Sequence, residues 1–200
     1  MLLTVLMCSL SMASTDYLKF QLGNMWLFYV AIVMTIVIMI VVCCFPKTMQ
    51  EVPTNYIILG LFTLCEAYTV SIVCGLSNPR LVFMAAFMTL ALTVALTLYA
   101  FTTKTDFTMM GSSLWILGCT LLMFSLFAMF SQNNILHIVI CCFSVILYSI
   151  YLIYDTQLLM GGHKHELSPD DYCIAAIMIY MDIIILFLNI LDLLNRINKD

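Results

Sequence analysis

The sequence predicts an all-α membrane protein, a bundle of seven transmembrane helices of which the first is short or truncated. Hydrophobic residues make up 64% of the 200 residues and charged residues only 9%, whereas a soluble domain carries about a quarter charged residues. This number of charged side chains is too small to cover the surface of a soluble fold. Most of the outer surface must therefore face lipid. We therefore expect a single polytopic membrane domain over residues 1–200.

The first apolar segment, residues 1–13, is too short for a complete span. As a helix it reaches about 20 Å, whereas the hydrocarbon core is about 30 Å thick. A signal peptide is the alternative, but that class begins with basic residues and this segment has none. We therefore expect a short or incomplete first span.

Six longer apolar runs follow, each close to the length that crosses a bilayer. Prolines, charges or other polar residues interrupt the sequence between them, as in Ser77-Asn78-Pro79-Arg80. The start of the last helix is specified by Ser168 as N-cap, Pro169 at the first helical position, and Asp170 and Asp171 in the first turn. The predicted spans are 25–45, 56–76, 81–101, 111–131, 135–154 and 173–194.

Charge excludes one class of partner and leaves the orientation open. The net charge is -4 and the seven basic residues are scattered, so no basic stripe offers a surface for nucleic acid. In a seven-span arrangement three basic residues fall on one side of the membrane and four on the other, which does not decide the orientation. The nine cysteines have no C-x-x-C spacing, and we interpret them as small buried side chains.

Four acidic residues within the predicted spans or at the end of one need explanation, because a carboxylate at the centre of a span costs roughly 3 kcal/mol. Asp192 has Arg196 four residues later on the same helix face, which predicts an ion pair near the membrane surface. Glu66 has no basic neighbour, and whether it has a role near the same cavity as the other acids stays open. Asp155 and Asp182 are the most informative.

Asp155 and Asp182 have only apolar residues or tyrosine three and four positions away on their own helices. Their helices are consecutive and antiparallel, so we expect the two acids to approach each other. No Lys or Arg falls within a predicted span, and two apposed acids in a low-dielectric site tend to share a proton. Such a pair suits a pH-sensitive gate or a cation path, with Ca²⁺ as a fitting hard ion. The alternative is a permanently protonated Asp that bonds to a helix carbonyl, Tyr154 or Tyr180.

The loop before the last helix holds His163, Lys164, His165 and Glu166. It lacks the H-E-x-x-H spacing of a zinc site, so we expect a solvated loop.

An ordered set of short motifs carries a family resemblance. The strongest are Tyr154-Asp155-Thr156-Gln157-Leu158, Gly161-Gly162-His163-Lys164, Leu167-Ser168-Pro169-Asp170-Asp171-Tyr172 and Tyr180-Met181-Asp182-Ile183-Ile184. Weaker matches are Val52-Pro53-Thr54-Asn55-Tyr56, Phe62-Thr63-Leu64-Cys65-Glu66 and Thr105-Asp106-Phe107-Thr108. With these motifs the chain resembles the transmembrane Bax-inhibitor motif family, within it the lifeguard and Golgi anti-apoptotic branch.

The resemblance implies a bundle of seven helices with the last one central. It also implies a pH-sensitive calcium leak across membranes of the endoplasmic reticulum or Golgi, with suppression of cell death and no enzymatic activity. The family's acidic pair falls on Asp155 and Asp182, which are also the possible Ca²⁺ ligands, and Glu66, Asp170 and Asp171 are possible accessory residues. The implied partners are the lipid bilayer, calcium ions, protons and membrane proteins of cell-death signalling, and no cofactor is expected.

The chain departs from the family pattern in three places. Asp170 and Asp171 replace paired Glu, Ala67 replaces Gly, and the family's N-terminal tail is missing, as expected of a shortened form.

Two other functions stay open. An intramembrane aspartyl protease also has a Tyr-Asp on one helix, as in Tyr154-Asp155. In that class Gly-x-Gly precedes the second aspartate, whereas Asp182 follows Ile179-Tyr180-Met181, so the resemblance ends there. The other is a membrane scaffold that conducts no ions and acts only by binding partners in death signalling. Such binding surfaces have no clear sequence motif, so the sequence does not exclude this function.

Overall fold

The computed structural model describes residues 1–131, 133–162 and 164–198, and these residues are all helical apart from their connections. Short 3₁₀ helices occur at Pro46–Met49, Phe107–Met110 and Pro169–Asp171. The α-helices are α1 (Leu2–Ala13), α2 (Thr15–Gly23), α3 (Met25–Cys44), α4 (Thr54–Leu76), α5 (Pro79–Thr102), α6 (Gly111–Met129), α7 (Asn134–Met160) and α8 (Tyr172–Ile197).

Six of the described helices, α3 to α8, are long and apolar enough to cross a membrane. They confirm the six predicted apolar runs, although α7 continues to Met160 rather than ending at Tyr154. Helix α1 has 12 residues and is too short by itself, so the predicted count of seven spans is not confirmed.

The segment after α1 contains a short helix, α2, that the sequence analysis did not predict. Ser14 separates the two helices, and its Oγ accepts a hydrogen bond from the backbone N–H of Tyr17 at 3.3 Å. Asp16 lies in the first turn, where a carboxylate interacts favourably with the helix dipole. The N-terminal region is therefore a pair of short helices before α3.

The start of α8 differs in detail from the prediction. Pro169–Asp171 forms a 3₁₀ helix, and the α-helix begins only at Tyr172. Asp170 and Asp171 therefore lie in this tighter turn and not in the first turn of α8. A 3₁₀ turn is a common way to begin an α-helix.

The chain divides into two compact units, and α8 contributes its first part to one and its remainder to the other. Unit 1 comprises Met1–Val82 and Pro169–Ile177, and in it α1, α2 and α3 pack against α4. Unit 2 comprises Phe83–Ser168 and Met178–Asp200, and in it α6 and the preceding 3₁₀ helix pack against α7. The expected single membrane domain over 1–200 stays a prediction.

Candidate functional site: an acidic pair in unit 2

Asp155 of α7 and Asp182 of α8 both belong to unit 2 and lie side by side there. The two residues are 6% and 5% exposed, and their carboxyl groups are within hydrogen-bonding reach of each other. Two ionised carboxylates have no hydrogen to share, so a hydrogen bond between the two groups would need a proton on one of them. The structure thus brings together the two acids that the sequence analysis singled out.

One oxygen of the pair has no partner. Among the described residues no donor reaches Asp182 Oδ2, although this atom is buried. Two ion pairs among the described residues join Lys19 to Asp16 and Arg196 to Asp192, and neither of them includes Asp155 or Asp182. A buried carboxyl oxygen with neither donor nor counter-charge is costly. It is therefore a position where a proton or a cation would be stabilised.

Three tyrosines of α7 lie near the acidic pair. Tyr148 and Tyr151 stack with their ring centroids 5.6 Å apart, and both lie within electrostatic reach of Asp182. Tyr154 lies near Asp155. Their hydroxyl groups add polar oxygens to an otherwise apolar surrounding.

Glycines of α6 provide room for these tyrosines. A Cβ at Gly111 would lie 2.7 Å from the Tyr154 hydroxyl, and one at Gly118 would lie 3.0 Å from the Tyr151 hydroxyl. A Cβ at either position would therefore require the facing tyrosine hydroxyl to shift.

Gln157 holds the end of α7 close to the segment before α6, a role that the sequence analysis missed. Its Oε1 accepts a hydrogen bond from the Phe107 N–H at 2.8 Å, and its Nε2 donates to the Thr105 carbonyl at 3.0 Å. The side chain is fully buried. Gln157 and Thr105-Asp106-Phe107-Thr108 both stood in the motif set, but nothing in either motif showed that they contact each other.

The possible accessory acids belong to unit 1. Glu66 of α4 is half-buried and lies near the side chain of Thr35, whose hydroxyl donates to the Ala31 carbonyl at 3.0 Å. Asp171 Oδ1 accepts a hydrogen bond from Gln50 Nε2 at 2.8 Å, and Asp170 is exposed beside it. Their suggested accessory role stays a prediction.

The predicted ion pair near the end of α8 is confirmed. Arg196 Nε lies 2.9 Å from Asp192 Oδ2, and the Cys141 thiol donates to the same oxygen at 3.2 Å. Arg196 also reaches Asn134 Oδ1 at 3.5 Å. Asp192 therefore has a basic partner, whereas the ion pairs given for the described residues do not include Asp182.

The polar loop before α8 forms hydrogen bonds of its own. Gly162 donates to Glu166 Oε2 at 2.9 Å, and the backbone of Lys164 donates to Asp106 Oδ2 at 3.2 Å. The backbone of His165 donates to the Thr108 hydroxyl at 3.3 Å, while His163 lies outside the described residues. Within 1–131, 133–162 and 164–198, no three His, Cys, Asp or Glu side chains form a metal-binding group.

Comparison with known proteins identifies the family. The family model Bax1-I, described as inhibitor of apoptosis-promoting Bax1, matches residues 1–199. The chain belongs to this family. The resemblance drawn from the motifs is therefore confirmed.

Curated relatives agree with this assignment. The chain is 30% identical over 179 residues to protein lifeguard 3 of Homo sapiens, a match that covers 88% of this chain and 58% of the relative. It is 36% identical over 147 residues to the Golgi anti-apoptotic protein of Vaccinia virus (strain Lister), covering 74% of this chain and 60% of the relative. The chain thus spans about three fifths of the length of these relatives.

Proposed function

We propose that this protein is a calcium leak channel of intracellular membranes whose acidic pair, Asp155 and Asp182, forms a pH-sensitive gate, and that it suppresses apoptosis. Membership of a family described as inhibiting apoptosis-promoting Bax1 supports the cellular part of the proposal. The similarity to a Golgi anti-apoptotic protein favours the Golgi, with the endoplasmic reticulum as the other candidate membrane. The proposal includes a bundle of seven helices, of which the short first helix α1 does not complete a crossing by itself, with α8 at its centre. It is in keeping with α8 being the most buried of the six candidate spans.

The observation that carries the gate is the unpartnered Oδ2 of Asp182 beside Asp155. With one proton, the two carboxyl groups share a hydrogen bond and hold α7 to α8. Without it, two negative charges repel each other in a medium of low dielectric constant, unless a cation lies between them. Protonation and cation binding therefore compete for the same oxygens.

Calcium fits these oxygens as the permeant ion. Ca²⁺ takes about 6–8 oxygen ligands in flexible geometry, and the two carboxylates supply up to four of them. Water and the nearby tyrosine hydroxyls would supply the remainder. An incomplete protein cage suits a path, because a permeant ion must also leave.

Calcium-loaded liposomes that contain the purified chain test the proposal across a pH series. We expect the wild type to release calcium at a rate that changes with pH. Asp182→Asn removes the charge at nearly constant volume, so its release rate should no longer follow pH. Asp16→Asn, an exposed acid on α2, should behave like the wild type. A wild type that releases no more calcium than empty liposomes would refute the channel.

A scaffold without ion conduction is the second candidate, because the family and the Golgi anti-apoptotic protein are named for an effect on cell death and not for transport. The two functions differ in their dependence on the acidic pair. Cells that express Asp155→Asn or Asp182→Asn should lose protection if the leak suppresses death. Full protection by both variants, at wild-type abundance, would favour the scaffold.

A further inference from the structure

Two cysteines from different helices meet in unit 1, apart from the acidic pair of unit 2. Cys8 lies in α1 and Cys74 lies in α4, and their thiols are within hydrogen-bonding reach of each other. Both are free thiols in this structure. The proposed channel uses neither of them.

The side of α1 that carries Cys8 is lined by small side chains. Thr4, Cys8 and Ser11 follow one another at spacings of four and three residues, so they share one face of the helix. Thr4 and Ser11 are buried, and Cys8 is half-buried. This face is the one that α1 packs against α4.

The facing surface of α4 also consists of small side chains. Ser71 and Cys74 are fully buried. A Cβ at the neighbouring Gly75 would collide with Ser11 Oγ and would lie 2.7 Å from Leu18 Cδ1. Small residues on both sides let two helix backbones approach closely, and a disulfide requires Cα atoms within about 7 Å.

A buried hydrogen-bond chain fixes how α1 lies along α4. Ser11 Oγ donates to Gln21 Oε1 at 2.9 Å, and Gln21 Nε2 donates to Ser71 Oγ at 2.8 Å. Ser11 is one turn from Cys8, and Ser71 is one turn from Cys74. These hydrogen bonds therefore hold α1 and α4 together one turn away from the two thiols.

We propose that Cys8 and Cys74 are an oxidisable pair, which closes into an intramolecular disulfide in the presence of a small soluble disulfide and thereby ties α1 covalently to α4. Cys74 is two residues before the end of α4 at Leu76, about 3 Å along the axis. The pair is therefore close to the end of a candidate span, and the half-buried Cys8 is the more exposed of its two thiols.

The exchange proceeds in two steps. The half-buried Cys8 thiolate attacks one sulfur of the small disulfide, whose S–S bond breaks and releases one thiol. The Cys74 thiolate then attacks the Cys8 sulfur of the mixed disulfide and releases the second thiol. Two cysteine thiols are oxidised, the small disulfide is reduced to two thiols, and the two cysteine protons pass to the departing thiolates.

Counting thiols tests the proposal on the full chain in liposomes. Oxidised glutathione is added and removed, the protein is unfolded in detergent, and N-ethylmaleimide adducts are counted by intact mass. The reduced wild type has nine cysteines to label, and the oxidised wild type should carry two fewer adducts. In the Cys8→Ser and Cys74→Ser variants, treatment with oxidised glutathione should not remove a pair of N-ethylmaleimide adducts. Cys43→Ser, which removes an exposed cysteine, should still lose two.

Peptide mapping of the oxidised wild type identifies the pair without relying on a variant. Trypsin cleaves after Lys19, Lys47 and Arg80, so Cys8 falls in peptide 1–19 and Cys74 in peptide 48–80. These two peptides should be linked and should separate on reduction. Cys65 shares the second peptide, so Cys65→Ser must keep the link.

Three results would overturn the proposal. They are complete labelling after oxidation, a link that survives Cys74→Ser, and a disulfide between two copies of the chain in place of the internal one. Because calcium release enters none of these measurements, failure of the proposed channel would leave the result on the thiols unaffected.

Discussion

At the scale of single residues, Asp182 shows what can be inferred from a sequence and what cannot. Its neighbours three and four positions away are apolar, so its partner had to come from another helix. The structure places Asp155 beside it. Gln157 gave no such signal, because its partners are backbone groups about fifty residues earlier, and any residue type carries those groups.

Gln157 offers a test of local structure in unit 2. Gln157→Ala leaves the Phe107 N–H and the Thr105 carbonyl without their side-chain partner, which costs about 1–3 kcal/mol for buried groups. Because exchange follows local opening, we expect hydrogen exchange at the Phe107 amide to accelerate roughly 5–150-fold.

Gln50→Ala is the matched control, since Gln50 is exposed and bonds to Asp171 in unit 1. It should leave exchange at Phe107 unchanged. Unchanged exchange in Gln157→Ala as well would show that the glutamine does not hold this segment.

At the scale of helices, length and hydropathy sufficed for the six long spans, because each run is bounded by prolines or polar residues. The short helix α2 was missed because it has nine residues and is half polar, so no apolar period identified it. Its place depends on Gln21, whose bonds to Ser11 and Ser71 join residues up to fifty positions apart. Local pattern does not predict contacts of that range.

The packing of α1 on α4 predicts opposite effects for two glycines of α4. Gly75→Ala introduces a Cβ that collides with Ser11 and Leu18, and overpacking of this kind costs about 1–3 kcal/mol. Gly60→Ala has nothing within 4 Å of the new Cβ and should stabilise the helix by about 0.5–1 kcal/mol. Thermal unfolding in detergent should therefore give a lower midpoint for the first variant and an equal or higher one for the second. A higher midpoint for Gly75→Ala would contradict the close packing.

At the scale of the whole molecule, six candidate spans predict that both chain ends lie on the same side of the membrane. The 12 residues of α1 reach about 18 Å, which falls short of a hydrocarbon core about 30 Å thick. Tags at the two ends, probed with an impermeant reagent on sealed vesicles, should be accessible together. Opposite accessibility would show that the N-terminal helices complete a seventh crossing.

The acidic pair as a single gate is the central claim, and a double-mutant cycle on calcium release tests it most directly. Release from loaded liposomes is measured for the wild type, Asp155→Asn, Asp182→Asn and the double variant. If the two acids act together through one shared proton or cation, each single variant should change the rate about as much as the double variant does. Single effects that multiply in the double variant, or a single variant that releases calcium like the wild type, would contradict the account.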